Sequence, residues 1–273
     1  MDPIHTFSDC IEGTVVKRPS ATCKTPYVAD VLLEDGKTMV LAHTAALGCC
    51  GLADLDAKVI MIPVENKKNV CRYKILFSIH EEKGIRQYIG IDPKLAETLV
   101  YTCLHENKIS SLEDCKSIQR EKTIMDSRFD FMGIDKKDHI YVLEVKNVPL
   151  ADYVDCLAKE KKKLDFNDRE YDSKISYFPD GYRKKQKDTV SPRALKHIEE
   201  LEKIALETKI KTYLCYVVQR EDANRFQTSI LDPTYKQAVK KASDNGVTII
   251  VLQIKWTKEG EAILITDNLT SSL

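Results

Sequence analysis

The stretch IYVLEVKNV, Ile140–Val148, restricts the fold of this chain more than any other part of it. It is rich in Val, Ile and Tyr, and its apolar residues fall on both alternating faces. Ile140, Val142 and Val148 lie on one side, and Tyr141, Leu143 and Val145 on the other. A strand apolar on both faces is one covered on both faces, at the centre of a sheet. Glu144 and Lys146 interrupt it, and the period of two points both to one side. Just before it, 127–132 alternates around Phe129 and Phe131, with Asp130 in the middle and the polar turn DKKD as the link. The segment 116–124 ahead of these reads as a further strand. Buried charges are costly unless they are paired or hold a metal. Three of them at a sheet centre therefore mark a candidate site.

The flanking segments give the frame. Five short β-prone runs, at 14–17, 27–33, 37–42, 58–63 and 71–78, are separated by turn signals such as Glu34-Asp35-Gly36. This count fits a small five-stranded OB-like β-barrel. Asp92 with Pro93 opens a helix that runs to about Asn107. A second helix begins at Ser191-Pro192, with Leu195, Ile198, Leu201, Ile204 and Ala205 as its apolar stripe. Arg193 and His197 are i, i+4 neighbours on an edge of that stripe, either covering the core or aimed into a cleft. A strand at 211–218, a helix at 233–243 stopped by Asn245-Gly246, and strands at 247–254 and 262–266 complete a mixed sheet flanked by helices. The change of pattern near 80–84 divides the chain into 1–82, the barrel domain, and 83–273.

The chemistry follows from residue type and spacing. An Asp followed, after thirteen intervening residues, by Glu-x-Lys on an adjacent strand is the pattern of the PD-(D/E)XK (restriction-endonuclease-like) nuclease superfamily. Asp130 and Glu144 would give hard oxygen ligands to Mg²⁺ or Mn²⁺, Lys146 would hold or polarise the attacking water, and Glu121 would assist. The alternative reading of the same residues is a structural ion pair between Glu144 and Lys146 beside Asp130.

The strings REKTIMDSRFDF (120–131), YVLEVKNVPL (141–150), YFPDG (177–181) and SPRALKHIEEL (191–201), in that order, resemble the sugar fermentation stimulation protein family. VADVLLEDG (28–36) and LDPTYKQAVKKASDNGV (231–247) resemble it too, so the likeness spans most of the chain. It implies an OB-like domain followed by a PD-(D/E)XK-like domain, DNA binding, and a link to the regulation of sugar metabolism. Glu121, Asp130, Glu144 and Lys146 take the catalytic positions, and Arg128, Asp180, Arg193 and His197 line the cleft. The chain departs from the family at His43-Thr44-Ala45, where the family carries Asn-Thr-Gly, and in two stretches that look inserted, Leu157 to Lys174 and the run from Arg183.

Lys plus Arg and Asp plus Glu balance at 42 each, so whole-chain charge does not itself indicate a polyanionic partner. Local basic runs carry that case: Lys161, Lys162 and Lys163 in KEKKK, and Arg183, Lys184 and Lys185 in RKKQK, read as phosphate contacts or as solvated loops. The expected partner is nucleic acid, DNA ahead of RNA. It would be cut with metal-activated water or, in the alternative, only bound, as by a non-catalytic regulator. Nine cysteines without C-x-x-C read as free thiols of an intracellular protein, cytoplasmic or, in a eukaryote, nuclear. No apolar run approaches the roughly 20 residues that span a bilayer, and no membrane partner is expected.

Overall fold

A computed structural model of the chain describes residues 2–45, 48–65, 69–112, 114–179 and 189–273. Its fold is mixed α+β, with several sheets and few helices. The chain separates into two compact units. The first holds the residues up to Leu99 with Gln219–Glu221 and Ile254–Leu264; the second holds Val100–Val218, Asp222–Gln253 and Ile265–Leu273.

In the first unit, β1 (His5–Thr6) precedes β2 (Ile11–Lys17), β3 (Val28–Leu33), β4 (Met39–Thr44), β5 (Lys58–Pro63), β6 (Tyr73–Glu82) and β7 (Ile85–Gly90). Strands β2, β3 and β4 form an antiparallel meander, β5 pairs antiparallel with both β2 and β6, and β4 runs parallel to the start of β6. These pairings close a ring of five strands. Val15, Val31, Ala42, Val59, Met61 and Ile75 fill it, their alternation directing one face of each strand inward. The far half of β6 turns back into β7 through Lys83 and Gly84, both at positive φ (51° and 76°). Two such residues make the tight turn that suits a twisted hairpin. The sequence-based division at 82/83 falls inside this β6–β7 hairpin, while the first unit runs on to Leu99.

After α1 (Pro93–His105) the second unit is built from β8 (Cys115–Ile124), β9 (Ser127–Asp135), β10 (Ile140–Val148), β11 (Ala151–Asp152), α2 (Ala158–Lys161), β12 (Lys174–Phe178), α3 (Pro192–Glu207), β13 (Lys211–Val218), β14 (Ala223–Thr228) and α4 (Pro233–Asp244). Strands β15 (Thr248–Trp256) and β16 (Glu261–Thr266) are shared between the two units, and β17 (Ser271–Ser272) ends the order. Here the main sheet runs β15-β13-β10-β9-β8: β8, β9 and β10 are antiparallel neighbours, and β13 lies parallel to both β10 and β15. A smaller sheet, β11-β12-β14-β17, pairs β12 parallel to β14.

Two helices cover one face of the main sheet. Ser191 caps α3, its hydroxyl accepting from the Ala194 N–H, and Pro192 starts the first turn. Asp232 caps α4 in the same way by accepting from the Tyr235 N–H, and Gly246, at φ 102°, follows its end. Ala194, Ile198, Leu201 and Ile204 of α3 and Tyr235, Val239 and Ala242 of α4 bury against Val142, Val148, Leu214, Tyr216 and Val218. Strand β10 is thus central and covered. Among the described residues, no helix is long and apolar enough to cross a membrane.

Candidate functional site

Three neighbouring strands carry an acidic row. In the β8–β9 ladder Arg120 faces Phe131 and Lys122 faces Phe129, which sets Glu121 across from Asp130. In the β9–β10 ladder Leu143 faces Phe131, and one step further brings Asp130 alongside Glu144. There the Asp130 side chain reaches across, and its Oδ2 accepts the Val145 N–H at 2.7 Å. The hairpin that pairs β9 with β10 therefore brings two carboxylates, fourteen residues apart along the chain, to one level of the sheet.

Glu144 is 3% exposed, on the face that α3 covers. Its Oε1 accepts from Lys146 Nζ at 2.5 Å and from the ring Nδ1 of His197, which is 5% exposed on α3. Its other oxygen, Oε2, is buried with no hydrogen-bond partner among the described residues. Burial alone raises the Glu144 carboxyl. The hydrogen bond from His197 and the charge of Lys146 outweigh that effect and hold it below the ordinary carboxylate range. The His197 ring packs against Phe129 with centroids 5.8 Å apart.

The remaining residues singled out in the sequence are more dispersed. Glu121 is exposed, in the left-handed region at φ 53°, and pairs with the exposed Arg128 at 3.5 Å. Such a backbone conformation is uncommon for a side-chain-bearing residue inside a strand. Arg193 stands exposed one turn before His197 on α3. Lys161, Lys162 and Lys163 are exposed at and just beyond the end of α2, and Lys161 pairs with Asp152. Asp180, Arg183, Lys184 and Lys185 lie outside the described residues.

Sequence reasoning gave no role to Tyr216 and Tyr235. Tyr216 sits on β13 opposite Lys146, and its hydroxyl meets that of Tyr235 on α4 at 2.7 Å, both fully buried. Burial, then the Tyr216 neighbour and the Glu144 charge, push the Tyr235 hydroxyl well above its usual range. The available signal was a tyrosine at a core position of an otherwise polar helix. Burial pushes the Cys103 thiol up to about 12 and that of Cys215 well above its ordinary value.

The residues fit a hard divalent cation in a limited sense. Among the described residues no group of three His, Cys, Asp or Glu side chains is gathered to cage a metal. Two carboxylates at one level of the sheet, one of them offering a buried oxygen without a partner, suit a cation such as Mg²⁺, which keeps waters and takes few protein ligands.

The family model described as "Sugar fermentation stimulation protein RE domain" matches residues 94–159 and 169–260. The break between the two matched segments lies inside the 157–174 stretch that reads as inserted. A sugar fermentation stimulation protein homolog from Jannaschia sp. (strain CCS1) is 31% identical over 238 residues, covering 86% of each chain. A homolog of the same description from Alkaliphilus metalliredigens (strain QYMF) is 27% identical over 262 residues, 95% of this chain and 96% of that one. The solved structure of Pyrococcus furiosus SfsA in complex with Ca²⁺ superposes with a TM-score of 0.76 over the full length of both chains at 20% identity, a likeness of fold.

Proposed function

The chain belongs to the sugar fermentation stimulation protein family, and from that premise we propose that it is a DNA-binding protein with a metal-dependent phosphodiesterase site on β9 and β10. The observation that carries the reading is the setting of Glu144: buried, held through one oxygen by Lys146 and His197, and offering the other without a partner. A purely structural ion pair has no use for an unpartnered buried carboxylate oxygen, which costs desolvation without return.

In this reading Asp130 and Glu144 hold Mg²⁺ or Mn²⁺. When bound, the cation supplies Lewis-acid stabilisation of the scissile phosphate and acidifies a water. The Ca²⁺ in the Pyrococcus protein is a cation of the same oxygen-seeking kind. Lys146, 12% exposed at its side chain, presents an ammonium to the water or to a phosphate oxygen. Glu121 and Arg128 line the approach at the level of Asp130, and Arg193 meets the phosphate backbone from the start of α3. The ring formed by β2–β6 supports an OB-like assignment for the first unit. The antiparallel β8-β9-β10 group followed by parallel β13 supports a PD-(D/E)XK-like assignment for the second.

The test is incubation with single- and double-stranded DNA and RNA, with and without Mg²⁺ or Mn²⁺. Cleavage should require the cation and fall by about a hundredfold or more in Lys146→Ala, within the range that a group acting on a transferred proton contributes. Cleavage that is independent of metal, or indifferent to Lys146, defeats the proposal. Cation-independent binding without cleavage would instead favour the regulator reading.

A further inference from the structure

Two donors end on the same oxygen of Glu144, and they are not equivalent. Lys146 reaches Oε1 from two residues along the same strand, on a flexible four-carbon stem that keeps some access to solvent. His197 comes from a different element. Its ring is buried, packed on Phe129, and carried by a helix whose Ala194, Ile198 and Leu201 are locked in the core. His197 Nδ1 meets Oε1 of Glu144 within hydrogen-bond distance, and a carboxylate oxygen is the accepting partner of a ring N–H. A ring already immobilised by packing loses little further freedom in making that bond.

We infer that His197 is the positioning residue of the centre: its Nδ1–H fixes the rotation of Glu144 so that Oε2 is the oxygen presented to the cation, and it leaves Lys146 available for the substrate. This rests on the metal reading of the same site. A divalent cation on Oε2 would repel the neighbouring ammonium, leaving the histidine to keep Glu144 in place and Lys146 free for a phosphate oxygen or the water.

The division of labour gives opposite signatures. Titration calorimetry of Mn²⁺ into the metal-free full chain reads them without any turnover. His197→Leu should weaken Mn²⁺ binding by about 10–100-fold, the usual loss when a hydrogen-bond partner behind a metal ligand is removed. His197→Asn, whose side-chain amide nitrogen falls near the Nδ1 position, should restore most of the affinity. Lys146→Met should bind Mn²⁺ at least as tightly as the parent, because a cation beside the site has gone. Equal affinity of His197→Leu and the parent overturns the inference. So does equal weakness of the Leu and Asn variants, which would make packing the cause, or a loss in Lys146→Met as large as in His197→Leu. Should His197→Leu fail to fold, as judged by near-UV circular dichroism, His197→Asn is compared with His197→Gln, whose donor falls near Nε2, and equal affinities there overturn it. A parent chain that takes up no Mn²⁺ removes the metal reading and the inference together. Uptake by the parent with an indifferent His197→Leu removes the inference alone.

Discussion

At the scale of single residues, charge is legible in a sequence where it is out of place and illegible where it is ordinary. Glu144 and Lys146 stand out because everything around them in the strand is apolar, and Asp130 because it interrupts an aromatic alternation. The contact from His197 to Glu144 crosses 53 positions, and the edge of a helical stripe, together with the family resemblance that puts His197 at the cleft, hinted at it. Asp135 shows the converse. In the sequence it is one member of a polar turn, yet it is 1% exposed and accepts from Lys211 Nζ at 2.8 Å and from the N–H groups of Lys137 and His139 at 2.9 Å. Burial raises its carboxyl, and these donors more than compensate, holding it below the ordinary range. A group depressed in the folded state contributes stability that is present above its unfolded pKa and is lost as pH falls through the folded one. Asp135→Asn should therefore melt lower than the parent at pH 7, and the gap in melting temperature should narrow as the pH is taken below about 4. A gap that does not change with pH would show that the charge is immaterial. The tyrosine pair makes a simpler case: Tyr235→Phe leaves the Tyr216 hydroxyl buried without its partner at 2.7 Å. It should cost about 1–2 kcal/mol in urea unfolding.

At the scale of elements, helix ends were readable because capping is local chemistry. Ser191-Pro192 and Asn245-Gly246 mark in sequence the limits that α3 and α4 have in the structure. Strands β11, β14 and β17 were not readable. Ala223–Thr228 has a single aromatic residue and no sustained alternation, and it becomes a strand because β12 offers it a parallel edge nearly fifty positions back along the chain. Tertiary pairing overrides weak local preference in such segments. The row of Glu121, Asp130 and Glu144 also depends on close approach of three strands at Gly133. A Cβ there would run into the Ser117 carbonyl on β8 and the Tyr141 ring on β10. The glycine's φ is not the constraint; space is. Gly133→Ala should destabilise the second unit by about 1–3 kcal/mol, the range for overpacking, as a lowered urea midpoint with an unchanged slope. An unchanged midpoint would mean that the two neighbours yield at no cost.

At the scale of the whole molecule, equal numbers of acidic and basic residues constrain how the chain can meet a polyanion. Without a net field, affinity for nucleic acid must come from a few placed cations, and each phosphate neutralised contributes about −0.9 to the slope of log K against log salt. Of the lysines at the end of α2, Lys161 is already committed to Asp152, whereas Lys162 and Lys163 stand exposed beside it. They are also near the interruption between the matched segments of the family model, so any contact they make would be an addition to what the family shares. Binding of duplex DNA in Ca²⁺ should accordingly show a shallow salt slope, and replacing Lys162 and Lys163 together by Gln should reduce its magnitude by about one to two. Metal affinity should not change, since neither lysine belongs to the strands or the helix that hold Glu144. A slope that stays the same in the double variant would assign these lysines to solvent, leaving Arg193 and Arg128, beside the acidic row, as the cations that read the phosphates.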